Sequence, residues 1–366
     1  MRNGIFPSIR IRSSSGLFLI AALWLSATPK STTFASSTTS KDASSLKSAD
    51  FDPKGKSFGD FILEAQRAYA AGDYDRVIDL MNWVLAHGID TDRAAIATIG
   101  RGSAYGAKGD LDRAMQDFDE ALKLNPRSAQ GYRDRGVVLA KRNDLDAAIK
   151  DFDMAIELQP DYWKSYLTRA EAKATNHQWE AALSDLEKVL KLNSKCAPAY
   201  AGRAFVEERY KKYQEALADG ERAVSIDANY FAGYMARAYA LIGLKQLPQA
   251  EQDLRSVVSM KAKDRSAQFN AVAWVRATSP EPSIRNGKEA LSLATNACDL
   301  TNWKNGRYID TLAAAHAEAG DFESAIKEEQ QALNLMENSP PPNIFEFRDR
   351  LALYQKQQPF RDERTP

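Results

Sequence analysis

The sequence repeats itself every 34 residues over most of its length, and this period restricts the fold more than any other feature. The segment GDLDRAMQDFDEALKLNP, which begins at Gly109, aligns with NDLDAAIKDFDMAIELQP, which begins at Asn143. Alanines keep the interval at Ala114, Ala148, Ala182, Ala216 and Ala250, and tyrosines keep it at Tyr132, Tyr166, Tyr200 and Tyr234. Each unit contains two amphipathic helical segments, and one such hairpin cannot cover its own apolar face. The period therefore predicts an all-α solenoid of stacked helix hairpins.

Small, aromatic and proline residues at set places in the unit resemble those of the tetratricopeptide-repeat (TPR) family. One unit carries the pattern almost completely, at Gly102, Tyr105, Gly109, Ala114, Phe118, Ala121 and Pro126. In the next unit Leu139 replaces the aromatic residue and Asn143 the turn glycine. The resemblance implies a right-handed superhelical solenoid, in which the first helices of successive hairpins line a concave groove for a peptide or a partner helix.

The repeats divide the folded part of the chain into consecutive segments. Residues 57–93 resemble a degenerate first TPR hairpin, residues 94–263 five TPR units, and residues 264–304 a TPR-like unit with an inserted, Pro-containing turn. Residues 305–338 resemble a further TPR unit, and residues 339–366 contain a Pro-rich break, a capping helix and a polar tail. We expect the polar residues of the capping helix to face water. These C-terminal segments are similar to the last repeats of exported bacterial TPR proteins.

The N-terminal residues have the pattern of an export signal. Arginines precede the apolar run LFLIAALWL, and small residues follow it, so residues 1–35 are predicted to be a signal peptide cleaved after Ala35. The run is shorter than the roughly 20 residues that cross a bilayer as a helix. The alternative is an N-terminal anchor in the inner membrane, formed by residues 16–27. Residues 36–56, rich in Ser, Thr and Lys, are predicted to be a disordered tether. The sequence thus predicts a periplasmic or extracellular protein.

Composition and motif spacing argue against several classes of function. Lys+Arg and Asp+Glu both number 49, so no net charge attracts nucleic acid. His87, His177 and His316 lie in different repeats, without metal-ligand spacing. No nucleophile elbow or phosphate-binding glycine loop is present in the sequence. We therefore expect no enzyme activity, no cofactor and no metal, and we interpret Cys196 and Cys298 as packing residues.

Charged residues also follow the 34-residue period. Arginines recur in the first helices, at Arg101, Arg135, Arg169, Arg203 and Arg237, and aspartates recur in the second helices, at Asp117, Asp151, Asp185, Asp219 and Asp253. Each aspartate follows its arginine by 16 residues, so a partly buried ion pair can close each hairpin. The sequence favours this structural ion-pair ladder over the alternative, a row of ligand-binding arginines.

Function is expected on the groove that the TPR resemblance implies. Its exposed positions are predicted to be Arg133, Val137, Lys141, Lys164, Leu167, Glu171, Phe205, Glu208, Arg209, Met235, Tyr239 and Ile242. The alternative for the aromatic members is packing against neighbouring repeats. Ile99, Ser103, Asp134 and Thr168 occupy positions where chaperone-binding TPR modules need Lys, Asn or Arg, which argues against a terminal carboxylate as ligand. Trp274, Trp303, Lys304 and Tyr308 form a second candidate surface, although stapling of the inserted turn is the favoured interpretation.

The sequence as a whole predicts a non-catalytic scaffold that binds a peptide or partner protein. A rigid, preorganised surface of this kind loses little affinity to ordering. Two alternatives remain open at this point: a structural module that assembles with further copies of itself, and an accessory subunit of an envelope enzyme complex. Contact with a membrane is expected only through an uncleaved N-terminal segment.

Overall fold

The computed structural model describes residues 57–262, 265–337 and 343–362, and within them every regular element is an α-helix. The helices are α1 (Phe58–Ala71), α2 (Tyr74–Ala86), α3 (Thr91–Lys108), α4 (Leu111–Leu124), α5 (Ala129–Lys141), α6 (Leu145–Leu158), α7 (Trp163–Thr175), α8 (Trp179–Leu192), α9 (Ala197–Arg209), α10 (Tyr213–Ile226), α11 (Phe231–Gly243), α12 (Leu247–Ser259), α13 (Ser266–Thr278), α14 (Gly287–Leu300), α15 (Gly306–Glu318), α16 (Phe322–Met336) and α17 (Ile344–Gln355). The predicted all-α solenoid of helix hairpins is confirmed. The predicted signal segment and tether lie outside the described residues.

The chain forms two compact units, and the division between them falls after Val206, within α9. The N-terminal unit contains α1 to α8 and most of α9. The C-terminal unit contains the last residues of α9 and α10 to α17. Within each unit, helices that follow one another in sequence pack against each other. In the described part of the chain, no helix is long and apolar enough to cross a membrane.

The turn inside each hairpin needs one residue with a left-handed backbone. Gly109 supplies it with a φ of 89°, at no steric cost because glycine lacks a Cβ atom. At 34-residue intervals the same conformation is taken by Asn143, His177, Lys211 and Lys245, with φ between 57° and 66°. The following residue then bonds back into the first helix, as the Asp144 N–H does to the Leu139 carbonyl at 2.9 Å. The second helix therefore starts at the same point in every unit.

The hairpin core consists of small residues opposite aromatic ones. The five periodic alanines, from Ala114 to Ala250, are completely buried. In the hairpin of α5 and α6, Gly136 faces the ring of Phe152, where a Cβ atom on Gly136 would lie only 2.7 Å from a ring carbon. Phe152 is itself completely buried. A side chain at position 136 would thus push the two helices apart.

Arginine and aspartate join the two helices of a hairpin. In four predicted pairs the arginine Nε and Nη2 atoms donate to the two carboxylate oxygens, at 2.6 to 2.9 Å; the pairs are Arg101–Asp117, Arg135–Asp151, Arg169–Asp185 and Arg237–Asp253. The four aspartates are buried. The members of the fifth predicted pair, Arg203 and Asp219, belong to different compact units.

Two of these arginines also bond to an aspartate of the preceding hairpin, a contact that was not predicted from the sequence. The third nitrogen, Nη1, of Arg135 donates to Asp119 on α4 at 2.8 Å, and that of Arg169 donates to Asp153 on α6 at 2.6 Å. Each of these acceptors lies two residues after a ladder aspartate, so the motif Asp-x-Asp is the signal that could have revealed the bond. A single guanidinium thus fastens a hairpin internally and to its neighbour.

The inserted turn of the C-terminal unit, residues 279–286, is closed by a buried arginine. Arg276 Nη1 donates to the Ile284 carbonyl at 2.9 Å, and the Asn286 N–H donates back to the Arg276 carbonyl at 2.9 Å. The guanidinium also pairs with Glu251 on α12 at 2.7 Å. These bonds hold the longer connection against the hairpin that it joins.

The capping helix α17 differs from the expectation that its polar residues face water. Glu346 and Arg350 are buried, and Arg350 Nε donates to Asp310 on α15 at 2.6 Å. Glu329, on α16, is completely buried 3.9 Å from the same nitrogen. Burial and the nearby Asp310 raise the pKa of Glu329 well above its ordinary value.

The hairpin bond can be tested with the pair Arg135 and Asp151. The variant Arg135→Ala leaves Asp151 buried without its partner, so we expect a loss of roughly 2 kcal/mol in the free energy of unfolding, less than for a fully buried pair because Arg135 keeps some solvent contact. The double variant with Asp151→Ala should cost less than the sum of the single changes, by about 1 kcal/mol. Urea unfolding measures all three.

The matched control is Arg169→Ala. Its partner Asp185 keeps a second donor, Lys173 Nζ at 2.9 Å, so this change should cost less than Arg135→Ala. Additive effects of Arg135→Ala and Asp151→Ala would contradict a role of the ladder in stability.

Candidate partner-binding surface

Most of the residues predicted to line the groove are buried rather than exposed. Eight of the twelve are less than 9% exposed, namely Arg133, Leu167, Glu171, Phe205, Glu208, Met235, Tyr239 and Ile242. Val137, Lys164 and Arg209 are half-buried, and Lys141 is exposed. The prediction of exposure is therefore wrong for the eight. The physical reason is that inner-face positions of a first helix also face neighbouring helices, so an apolar side chain there joins the core.

The polar side chains that the TPR resemblance predicts on the inner face of the N-terminal unit are grouped around one carboxylate on α5. Arg133 donates through Nε and Nη2 to Asp134 Oδ1, at 2.9 and 2.6 Å, and through Nη1 to the Tyr162 hydroxyl at 2.7 Å. Ser103 on α3 donates to Asp134 Oδ2 at 3.4 Å, and Gln130 donates to the same oxygen at 3.5 Å. These bonds connect α3, α5 and the turn before α7, so they fix the side chains of this face before any partner arrives.

Lys141 places a cation beside this cluster at the end of α5. Its Nζ donates to the Gly106 carbonyl on α3 at 3.1 Å. The side chain keeps solvent contact, but protein surrounds it on several sides and lowers the pKa of its ammonium through desolvation. The Lys141 ammonium is therefore in contact with solvent on one side and with protein on the others.

Glu171 on α7 is the most unusual residue of this face. It is only 2% exposed, and neither of its carboxyl oxygens has a hydrogen-bond partner. Burial raises the pKa of this carboxyl to about 8. Glu171 is among the residues predicted to be exposed in the groove, but the residues at the same position of the neighbouring repeats, Val137 and Phe205, are apolar and indicate burial. An unpaired buried carboxyl costs stability and is not explained by packing.

The second predicted surface is largely internal. Trp274 and Tyr308 are buried, while Trp303 is half-buried and donates through Nε1 to Asp299 at 2.9 Å. Lys304 is exposed. Of these four residues, only Trp303 and Lys304 therefore present side chains to solvent.

The candidate metal and thiol groups are dispersed. In residues 57–262, 265–337 and 343–362, no three His, Cys, Asp or Glu side chains come together as metal ligands would. Cys196 and Cys298 are free and buried, and burial raises the pKa of the thiols to about 11 and about 12. Such thiols are poor nucleophiles at neutral pH.

Comparisons with known proteins agree with this architecture. A family model described as tetratricopeptide repeat matches residues 62–126, 99–162 and 167–231. The crystal structure of yeast Tom70 is similar with a TM-score of 0.55 and 18% identity, over 85% of this chain and 67% of that one. A tetratricopeptide repeat protein from Parabacteroides merdae is similar with a TM-score of 0.50 and 14% identity, over 81% of this chain and 98% of that one. No curated protein matches the sequence. These low identities show the fold alone.

Glu171 should make stability depend on pH. Below about pH 4.5 the Glu171 carboxyl is protonated in both the folded and the unfolded chain. Between about pH 4.5 and 8 the carboxyl loses its proton in the unfolded chain but keeps it in the folded chain. The folded state therefore loses stability as pH rises through this window. We expect the stability gained by Glu171→Gln, relative to wild type, to grow by up to about 1.4 kcal/mol per pH unit there.

Urea unfolding at pH 5, 6, 7 and 8 measures this difference. The control is Glu157→Gln, at an exposed glutamate on α6, for which the difference from wild type should stay constant. A constant difference for Glu171→Gln as well would show that its carboxyl is solvated or paired in solution.

Proposed function

We propose that this chain, which is a tetratricopeptide-repeat protein, is a non-catalytic scaffold that binds a peptide or partner protein on the inner face of its first helices. Tetratricopeptide-repeat proteins generally mediate protein–protein interactions, and the matched residues include α3, α5 and most of α7. The proposed partner is a protein segment that carries polar groups.

The polar inner face of the N-terminal unit is the observation that carries the proposal. The second helices use alanine and phenylalanine for packing, whereas Asp134 and Lys141 on α5, and Lys164 and Glu171 on α7, are two helical turns apart and so share one side of their helix. Polar groups in such positions cost desolvation energy that an apolar residue would not. Binding of a partner that accepts from the lysines offsets part of that cost.

Preorganisation is the proposed mechanism of binding. The bonds from Arg133, Ser103 and Gln130 hold Asp134 in place without a partner. A partner then needs to order only its own chain, so less affinity is lost to entropy. The flanking Lys141 and Lys164 add charge complementarity, which affects the association rate and the choice of partner more than raw affinity.

We propose further that the protein is exported to the bacterial envelope or beyond. The support is the pattern of residues 1–35, with arginines before an apolar run and small residues after it. Intact-mass analysis of protein recovered from the native envelope tests this. A chain that begins at Ser36 is expected; a membrane-bound chain that begins at Met1 would favour the inner-membrane anchor, and an untruncated soluble chain would contradict export.

The binding face can be tested by charge reversal of its two lysines. Large inner-face side chains such as Phe205, Met235 and Tyr239 are unsuitable targets, because they are buried and their truncation would weaken the core. We expect the variant Lys141→Glu/Lys164→Glu to recover at least about tenfold less of one specific partner in a cross-linked pull-down, which corresponds to about 1.4 kcal/mol.

A matched control reverses two exposed lysines on second helices, Lys150→Glu/Lys191→Glu. This variant has the same net charge and should keep the partner, provided circular dichroism shows that both variants are folded. Equal recovery by wild type and both variants would contradict binding on the inner face. Cross-links between copies only would favour the self-assembling module, and a stoichiometric enzyme among the products would favour an accessory subunit.

A further inference from the structure

The last described residues of the chain return to the C-terminal unit after α17. Gln357 takes a left-handed conformation, with φ of 56°, and redirects the chain. Residues 358–362, here called the tail segment, then contact α13 and α15. We name their contact residues, Trp274, Thr278, Glu318 and Arg350, the tail receptor.

Main-chain and side-chain bonds hold the acidic end of the tail segment. The Asp362 N–H donates to the Thr278 carbonyl at 2.8 Å, and the Trp274 Nε1–H donates to Asp362 Oδ2 at 3.1 Å. Asp362 is only 2% exposed. Trp274 is buried too, so its indole N–H needs an acceptor in this position, and the tail segment supplies it.

The two preceding residues have equally specific partners. Arg361 Nη2 pairs with Glu318 Oε2 at 2.6 Å. The ring of Phe360 lies 5.9 Å from the ring of Trp274, and the guanidinium of Arg350 lies 5.6 Å from the Phe360 ring centre. An aromatic, a basic and an acidic residue in succession therefore each meet a complementary group.

The receptor is held in place by contacts that do not involve the tail segment. Arg350 donates to Asp310 at 2.6 Å and lies over the ring of Phe347 at 4.5 Å. Glu318 also accepts from Arg285 Nε at 3.1 Å. Arg350 and Glu318 would thus keep their positions if the tail segment left.

A plain cap of the last hairpin would need apolar cover only. This segment instead uses one main-chain bond, one indole N–H, one ion pair and one aromatic contact, which are the elements by which proteins recognise an extended peptide. We propose that the tail receptor is a peptide-binding site, occupied by the chain's own Phe360-Arg361-Asp362, which accepts a partner segment with the same aromatic–basic–acidic order when the tail segment is displaced.

The covalent link makes the tail segment a strong competitor. A tethered segment of this length has a high effective concentration at its site, so an external segment binds only if it is abundant, if it binds more tightly, or if the tail segment is released. The proposal concerns the C-terminal unit alone. It does not depend on the inner face of the N-terminal unit, so either proposal can fail without the other.

The test uses the full-length chain and a labelled peptide. The probe is a fluorescein-labelled peptide with the sequence QQPFRDE, residues 357–363, and binding is followed by fluorescence anisotropy. The variant Phe360→Ala/Asp362→Ala should bind the peptide at least about tenfold more tightly than the wild-type chain, in which the tail segment occupies the site. A peptide with alanine in place of Phe360 or Asp362 should bind the variant at least about tenfold more weakly.

Two further variants keep the result interpretable. Glu318→Gln, added to the released chain, removes the partner of Arg361 and should weaken binding and reduce its dependence on salt. A chain that ends at Gln357 provides a second released form if the double variant does not fold. The proposal would be overturned, and the tail segment would be a cap, if neither folded, released form bound the peptide at about 1 mM. A dissociation constant of about 1 mM corresponds to a binding free energy of about 4 kcal/mol. Binding of the alanine-substituted peptides as tight as that of the unchanged peptide would also overturn the proposal.

Discussion

The whole fold depends on one constraint, that a helix hairpin cannot bury its own apolar face. Each hairpin therefore needs a neighbour in the same register, and the completely buried periodic alanines show how closely the helices approach. At Gly136 the fit against Phe152 allows no side chain at all. Once the approach is this close, any change of register would create either a clash or a void, so stacking has one solution in each unit.

The features that could be predicted from the sequence are those that repeat. The succession of helix hairpins, the periodic alanines and the pairing of Arg101 with Asp117 all follow from the 34-residue period, because a contact made once is made again in the next unit. Left-handed turns are harder to recognise, since Asn143 and Lys211 take a conformation that glycine takes at Gly109. Their position in the 34-residue repeat indicates the left-handed turn, whereas their residue type does not.

The features that sequence analysis missed occur once. Glu171 replaces apolar residues of its register, and burial could be inferred there, but the absence of any hydrogen-bond partner required coordinates. The contact between Trp274 and Asp362 joins residues 88 positions apart with no periodic relation. Arg350 was expected in water because a capping helix usually has a polar outer side; a nearby carboxylate and three aromatic rings bury it instead. Features of this kind are specific to this chain, and for that reason they bear on function.

The arginine that bonds to two hairpins has a consequence for how such a chain changes length in evolution. In the α3–α8 region, the Arg135 guanidinium bonds forward to Asp151 and backward to Asp119, and Arg169 bonds in the same way to Asp185 and Asp153. Duplication or deletion of one complete 34-residue segment there joins an arginine to an equivalent acceptor and leaves each buried ladder aspartate paired. A gain or loss of half a segment would leave a buried carboxylate alone. Recombination between repeats is thus tolerated in whole units, and the electrostatic bonds themselves set the unit of change.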